Sequence, residues 1–200
     1  MIASFDHLPR CGLRFVAALL LFSFILSGCS QLAPMPDESP NTSFERISHI
    51  QSLIKKQQLS TKDYETVRKL SDASVELSLC YQKLAPFVGG SKSFASSTDV
   101  NAAVKELMGE ALQKITFIRA IPLPQSLAEW NARLYNPAIK DFEYVALHLP
   151  DACEREDYTE INACFVRIGN AGAYFDAAGQ LLESWAPAPT NNINKLRGLE

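Results

Sequence analysis

Cys11, Cys29, Cys80, Cys153 and Cys164 are the residues of this 200-residue chain best suited to covalent chemistry. A thiol can be alkylated, can pair into a disulfide, or can bind a soft metal as thiolate. None of the five stands in a CxxC or CxxCH arrangement, which excludes a thioredoxin-like redox pair and a covalently attached haem. HExxH, a GxSxG elbow and a glycine-rich phosphate loop are also missing. His49 falls on a predicted helix and reads as solvated. His148 falls at the end of another, where a cation complements the helix dipole. Asp151, Glu154, Glu156, Asp157 and Glu160 form the densest acidic group. They lack the regular spacing of a calcium loop and read as a carboxylate-rich helix start. The expectation is therefore no catalytic residue, no metal site and no cofactor.

The position of Cys29 is more telling than its chemistry. Arg10 and Arg14 precede an apolar run, Phe15–Leu26. At about 1.5 Å per residue that run covers roughly 18 Å, well short of a hydrocarbon core of about 30 Å. Leu26-Ser27-Gly28-Cys29 follows at once. A basic segment, a short apolar core and LSGC, in that order, resemble the signal peptide and lipobox of bacterial lipoproteins. The resemblance covers residues 1–29. It implies cleavage after residue 28, a diacylglyceryl group on the Cys29 sulfur, and a fatty acid such as palmitate on the new amino terminus. Ser30, in place of an aspartate, implies sorting to the outer membrane with the domain facing the periplasm. Several acyl chains at about 0.8 kcal/mol per buried CH₂ make a stable anchor.

Composition narrows the partners. The net charge is −3, and the longest basic cluster is Lys55-Lys56, so no basic face is offered to nucleic acid. The membrane is reached through the N-terminal lipid alone.

Behind Cys29, residues 29–43 (CSQLAPMPDESPNTS) are proline- and serine-rich and read as a disordered tether. Residues 44–185 carry helical periodicity, and residues 186–200 read as a flexible tail. Helices are predicted at about 43–58, 61–87, 98–120, 125–149 and 157–185, with GGSKSFASS breaking the chain after the second. Capping boxes are expected at Thr42…Glu45, Ser126…Glu129 and Asp157…Glu160, and polar caps at Ser60-Thr61 and Ser97-Thr98. Pro137 should kink or split the fourth helix at Asn136. The resulting fold class is all-α: a four- to five-helix up-and-down bundle behind a tether. Gly169, Ala171, Gly172, Ala173, Ala177, Ala178 and Gly179 give the last helix a small-residue stripe. That stripe suits close packing inside the bundle or a partner helix docked upon it.

Cys80, Cys153 and Cys164 then gather at one end of the bundle. Cys80 lies among apolar residues and is expected as a free buried thiol. Cys153 sits in the predicted loop LPDACERED, where exposure in an oxidising compartment favours a partner. Cys153–Cys164 is the leading disulfide, with Cys80–Cys164, Cys80–Cys153 and no bond at all as alternatives. Trp130, Tyr135, Phe142 and Tyr144 are read as core, with a ligand cleft near Pro137 as the second reading.

The expected function is a non-enzymatic, lipid-anchored binding or scaffolding protein with an envelope protein as partner. An accessory of a secretion, conjugation or pilus system is one form of it; pilotins are small helical lipoproteins of that kind, an analogy of address and fold class with no pilotin motif matched. A bundle binding a small apolar ligand or lipid is the alternative, and an envelope enzyme a more distant one.

Overall fold

The computed structural model describes residues 40–85 and 98–185. Cys11, Cys29, the signal peptide, most of the tether, the GGSKSFASS break and the 186–200 tail lie outside the described residues. Among the described residues the chain is all-α, with five helices and no strand. They are α1 (Pro40–Leu53), α2 (Thr61–Gln82), α3 (Thr98–Ala120), α4 (Asn136–Glu154) and α5 (Tyr158–Trp185). No helix among them is long and apolar enough to cross a membrane.

Local chemistry sets most boundaries. Ser60 and Asp63 form a reciprocal capping box at the start of α2: Asp63 N–H donates to Ser60 Oγ and Ser60 N–H to the Asp63 carboxylate. The helix α3 occupies the predicted span. In contrast, α1 begins at Pro40, so Thr42 lies within it and not at its cap. Proline suits a first turn, whose N–H would have no partner anyway.

The fourth helix departs furthest from expectation. Gln125–Leu127 is a 3₁₀ turn, Ala128–Trp130 a single α turn, and Asn131–Tyr135 a π-helical segment that leads directly into α4. Ser126 caps nothing; its hydroxyl lies towards the Asp63 carboxylate at the start of α2 and, after the Ser60 backbone, helps to lower that group's pKa. The segment divides at Asn136, the split expected from Pro137, and proline becomes an opening residue of α4, where its missing N–H costs least. Helix α4 also continues through Pro150 to Glu154. The bond lost at Pro150 is offset by full burial of Leu149, Ala152 and Cys153 on the same turns.

The turn into α5 is a Schellman motif without glycine. Asp157 N–H donates to the Ala152 carbonyl at 2.8 Å and Glu156 N–H to that of Cys153 at 3.2 Å. Glu156 consequently takes a left-handed φ of 52°. Asp157 then caps α5 by accepting from Glu160 N–H at 3.1 Å.

Surface ion pairs record the topology. Lys114–Glu76 (2.6 Å) and Lys83–Glu110 (3.4 Å) join α2 to α3, Arg119–Glu143 (2.6 Å) and Lys105–Glu154 (3.5 Å) join α3 to α4, and Arg167–Asp141 (2.7 Å) joins α4 to α5. In each two-pair seam one residue number rises as the other falls, so successive helices run antiparallel. Exposed pairs of this kind each contribute about 0–1 kcal/mol; the apolar interior holds the bundle.

Helices α2 and α4 lie diagonally opposed and parallel, and aromatic side chains span the gap. Tyr81 donates its hydroxyl to the Phe142 carbonyl, and two turns earlier Ser74 Oγ meets Tyr135 OH at 2.7 Å; both pairs are offset by 61 residues. Rings run without interruption from Trp130 to Tyr135 (4.9 Å), Phe175 (5.4 Å), Phe142 (5.3 Å) and Tyr81 (4.4 Å). Trp130, Tyr135 and Phe142 are thus core, as first read. Tyr144 stays half-buried at the α4–α5 seam.

Candidate functional site: a helix-bearing groove on α5

The small residues of α5 change what its backbone can do. An alanine or glycine leaves the helix surface low, so side chains from other elements can reach main-chain carbonyls already used within the helix. Two consecutive carbonyls are used this way. Trp130 Nε1–H donates to Ala178 O at 2.9 Å, and Gln51 Nε2–H of α1 donates to Ala177 O at 3.3 Å. Gln51 also reaches the Gln180 amide oxygen at 3.2 Å.

Helix α1 is therefore the element that lies on the small-residue stretch of α5. It packs chiefly against α5 and the π-helical segment, which form the two walls of its seat. Its anchors are Ile47 and, just past its end, Ile54, 3% and 6% exposed, with Ile50 packed against the core between them. Burying two isoleucines contributes about 1.5–3 kcal/mol each. That gain is opposed by the entropy of ordering a 14-residue helix that would be marginal alone. Residues 55–60 carry no helix, so α1 joins the bundle through an extended link.

The densest group of titratable side chains lies elsewhere, on the α4–α5 seam. His148 stacks on the Tyr144 ring at 4.1 Å, and the Arg167 guanidinium lies 3.9 Å from the same centroid. Two groups that close cannot share one face, so they sandwich the ring. Arg167 also pairs with Asp141, and Tyr144 OH donates to Glu160 Oε1 at 2.8 Å. The carboxylate raises the tyrosine's pKa by accepting that proton in a hydrogen bond. Burial raises the Asp141 pKa despite the neighbouring Arg167. Every group here is paired, so the cluster is built to hold α4 against α5.

Several expectations are corrected by this arrangement. His148 is not at a helix C-terminus, because α4 runs on past it to Glu154; it stacks on Tyr144 instead. Glu160 is taken by Tyr144, which leaves the Asp157…Glu160 capping box half formed. The acidic group is divided among tasks: Glu154 pairs with Lys105, Asp157 caps α5, and Glu160 holds Tyr144. His49 is exposed, as expected.

Cys153 is not a loop residue. It lies in the last turn of α4 and is fully buried, because the helix continues through Pro150. Cys80 and Cys164 are buried too, and all three are free thiols in the structure. Burial pushes the Cys153 thiol up to about 11 and Cys164 to about 12, the latter also through the negative charge of Glu160 and its neighbour Cys153. Desolvation likewise raises Cys80. These thiols are protonated at neutral pH, the opposite of an activated nucleophile. Among the described residues no three His, Cys, Asp or Glu side chains converge as a metal site.

The α1 seat was only half foreseen. The small-residue stripe was readable in the sequence; Gln51 and the π segment carried no signal, since both act through contacts distant along the chain. Comparisons of the chain with protein-family models, curated proteins and solved structures return no match.

Proposed function

We propose that this chain is a lipid-anchored, periplasm-facing binding or scaffolding protein of the bacterial envelope. It is held at the outer membrane through Cys29 and works without catalysis. Its partner is another envelope protein, and an accessory role in a secretion, conjugation or pilus system fits that address. The observation that carries the reading is the seat on α5, a surface of low side chains and reachable carbonyls that already receives one amphipathic helix. LSGC supports the address, and the protonated thiols and fully paired α4–α5 cluster suit a structural interior better than a reactive one.

The test is chemical crosslinking of intact envelopes, followed by purification under denaturing conditions. The expected result is one discrete partner, whose yield falls in a Cys29→Ser variant that no longer incorporates an alkyne fatty acid. A protein that stays solitary in intact envelopes contradicts the reading.

A further inference from the structure

The two ends of the bundle carry opposite charge. Antiparallel packing gathers the end of α1, the link that follows it, the start of α2 and the ends of α3 and α5 at one end. Two contacts fix that arrangement: Gln51 near the end of α1 donates to Ala177 O, and Tyr64 OH in the first turn of α2 donates to the Trp185 carbonyl at 2.9 Å. Residues 54–70 bring five exposed basic side chains to this end, Lys55, Lys56, Lys62, Arg68 and Lys69, against two carboxylates. One of the two, Asp63, is held in the α2 capping box. Arg119 is paired here with Glu143 and Arg133 with Glu129, and Lys140 offsets Glu183, so the five set the sign. The far end, where α4 turns into α5, has five carboxylates between residues 151 and 160 against Arg155 alone.

Helix α2 has 22 residues, which puts the ends about 33 Å apart, several Debye lengths at physiological salt. Each end therefore acts on its surroundings by its own sign, although the whole chain has a net charge of −3. We infer that the basic end rests on an anionic phospholipid surface, as a second membrane contact beside the Cys29 acyl chains. This depends on the proposed lipid anchor and adds which end of the bundle meets the bilayer.

Three observations carry it. The first is charge complementarity, since clustered lysines attract anionic headgroups and the carboxylate-rich end is repelled by them. The second is apolar placement. Leu53, the last residue of α1, is 51% exposed two positions before Lys55, and Phe117, 60% exposed, lies three residues from the end of α3. Apolar side chains among cations suit the boundary between headgroups and acyl chains. The third is reach. Residues 29–40 span up to about 36 Å, whereas α1 rises only about 21 Å from Pro40 to the basic end. The tether is thus long enough for that end to touch the surface in which the lipid sits.

Lysine footprinting tests this on the protein purified in detergent from whole cells. The protein is mixed with phosphatidylglycerol or phosphatidylcholine vesicles as the detergent is removed, then acetylated and read by mass spectrometry. Lys55, Lys56 and Lys62 should react at least about threefold more slowly on phosphatidylglycerol, while Lys105 towards the acidic end keeps its rate. Salt at about 0.5 M should abolish the difference by screening. Equal rates on the two kinds of vesicle, or equal slowing of Lys105, overturn the inference. Protection confined to intact envelopes also overturns it and assigns the basic end to an acidic protein. The same spectra report the mass at Cys29. Acylated protein with equal rates keeps the anchor and loses the inference; unacylated protein with slowed lysines keeps the inference and loses the anchor.

Discussion

Gln51 and Ala177, 126 residues apart, meet where the Gln51 amide donates to the Ala177 carbonyl at 3.3 Å. The contact needs a small residue at position 177, which is nearly buried, since a longer side chain there has no room and would push α1 away. Ala177→Leu should cost about 1–3 kcal/mol through overpacking. It should also make the link at residues 55–60 cleavable by protease at concentrations that leave the wild type whole. Gln51→Ala removes only the half-buried hydrogen bond and should cost at most about 1 kcal/mol in urea unfolding.

Glu156 occupies the left-handed position that ends α4, with φ at 52°. A side chain there is strained and glycine is not, so Glu156→Gly should raise stability by about 1 kcal/mol. Thermal unfolding measures it. A fall in midpoint would show that the glutamate side chain does something the backbone geometry does not require.

The pH dependence runs against the usual acid behaviour for two carboxylates. Burial raises the pKa values of Asp141 and Asp176 in the folded protein, each partly countered by a hydrogen-bonding partner, Arg167 or Gln180. The folded state then holds these protons more tightly than the unfolded chain. Their contribution therefore grows more favourable as pH falls from neutrality towards 4, and is at its least favourable at pH 7. Asp176→Asn should raise stability at pH 7 and flatten the slope between pH 7 and pH 5 in urea titrations.

The buried thiols set the alkaline limb. In reduced protein the unfolded thiols ionise near 9, whereas Cys153 and Cys164 stay protonated until about 11 and about 12. Stability is complete below pH 9 and declines above it as the unfolded state alone loses protons. The Cys153–Cys164 bridge proposed for the oxidising envelope is tested by counting. Protein isolated without reductant and unfolded in guanidinium should titrate one thiol, Cys80, if the bridge forms. Three thiols contradict the bridge.

Much of this architecture was readable in the order of residues. The apolar stripes of α2, α3 and α5 recur every three to four positions, and Ser60 with Asp63 marks a helix start by local chemistry. Errors gathered where a distant contact overrides a local signal. Pro150 reads as a stop, yet Leu149, Ala152 and Cys153 have a core to enter and the helix continues. Cys153 therefore passes from an expected exposed loop to a buried turn. The alanines and glycines of α5 announced a close approach, but nothing near Gln51 announced that α1 is the element that makes it.

The central claim, that the bundle engages an envelope partner beside the α1 seat on α5, is tested most directly by photo-crosslinking in intact cells. A benzophenone side chain placed at position 180, an exposed site beside the Gln51 contact, would report what lies against that face. The account predicts an adduct with one discrete envelope protein. Absence of any intermolecular adduct would contradict it.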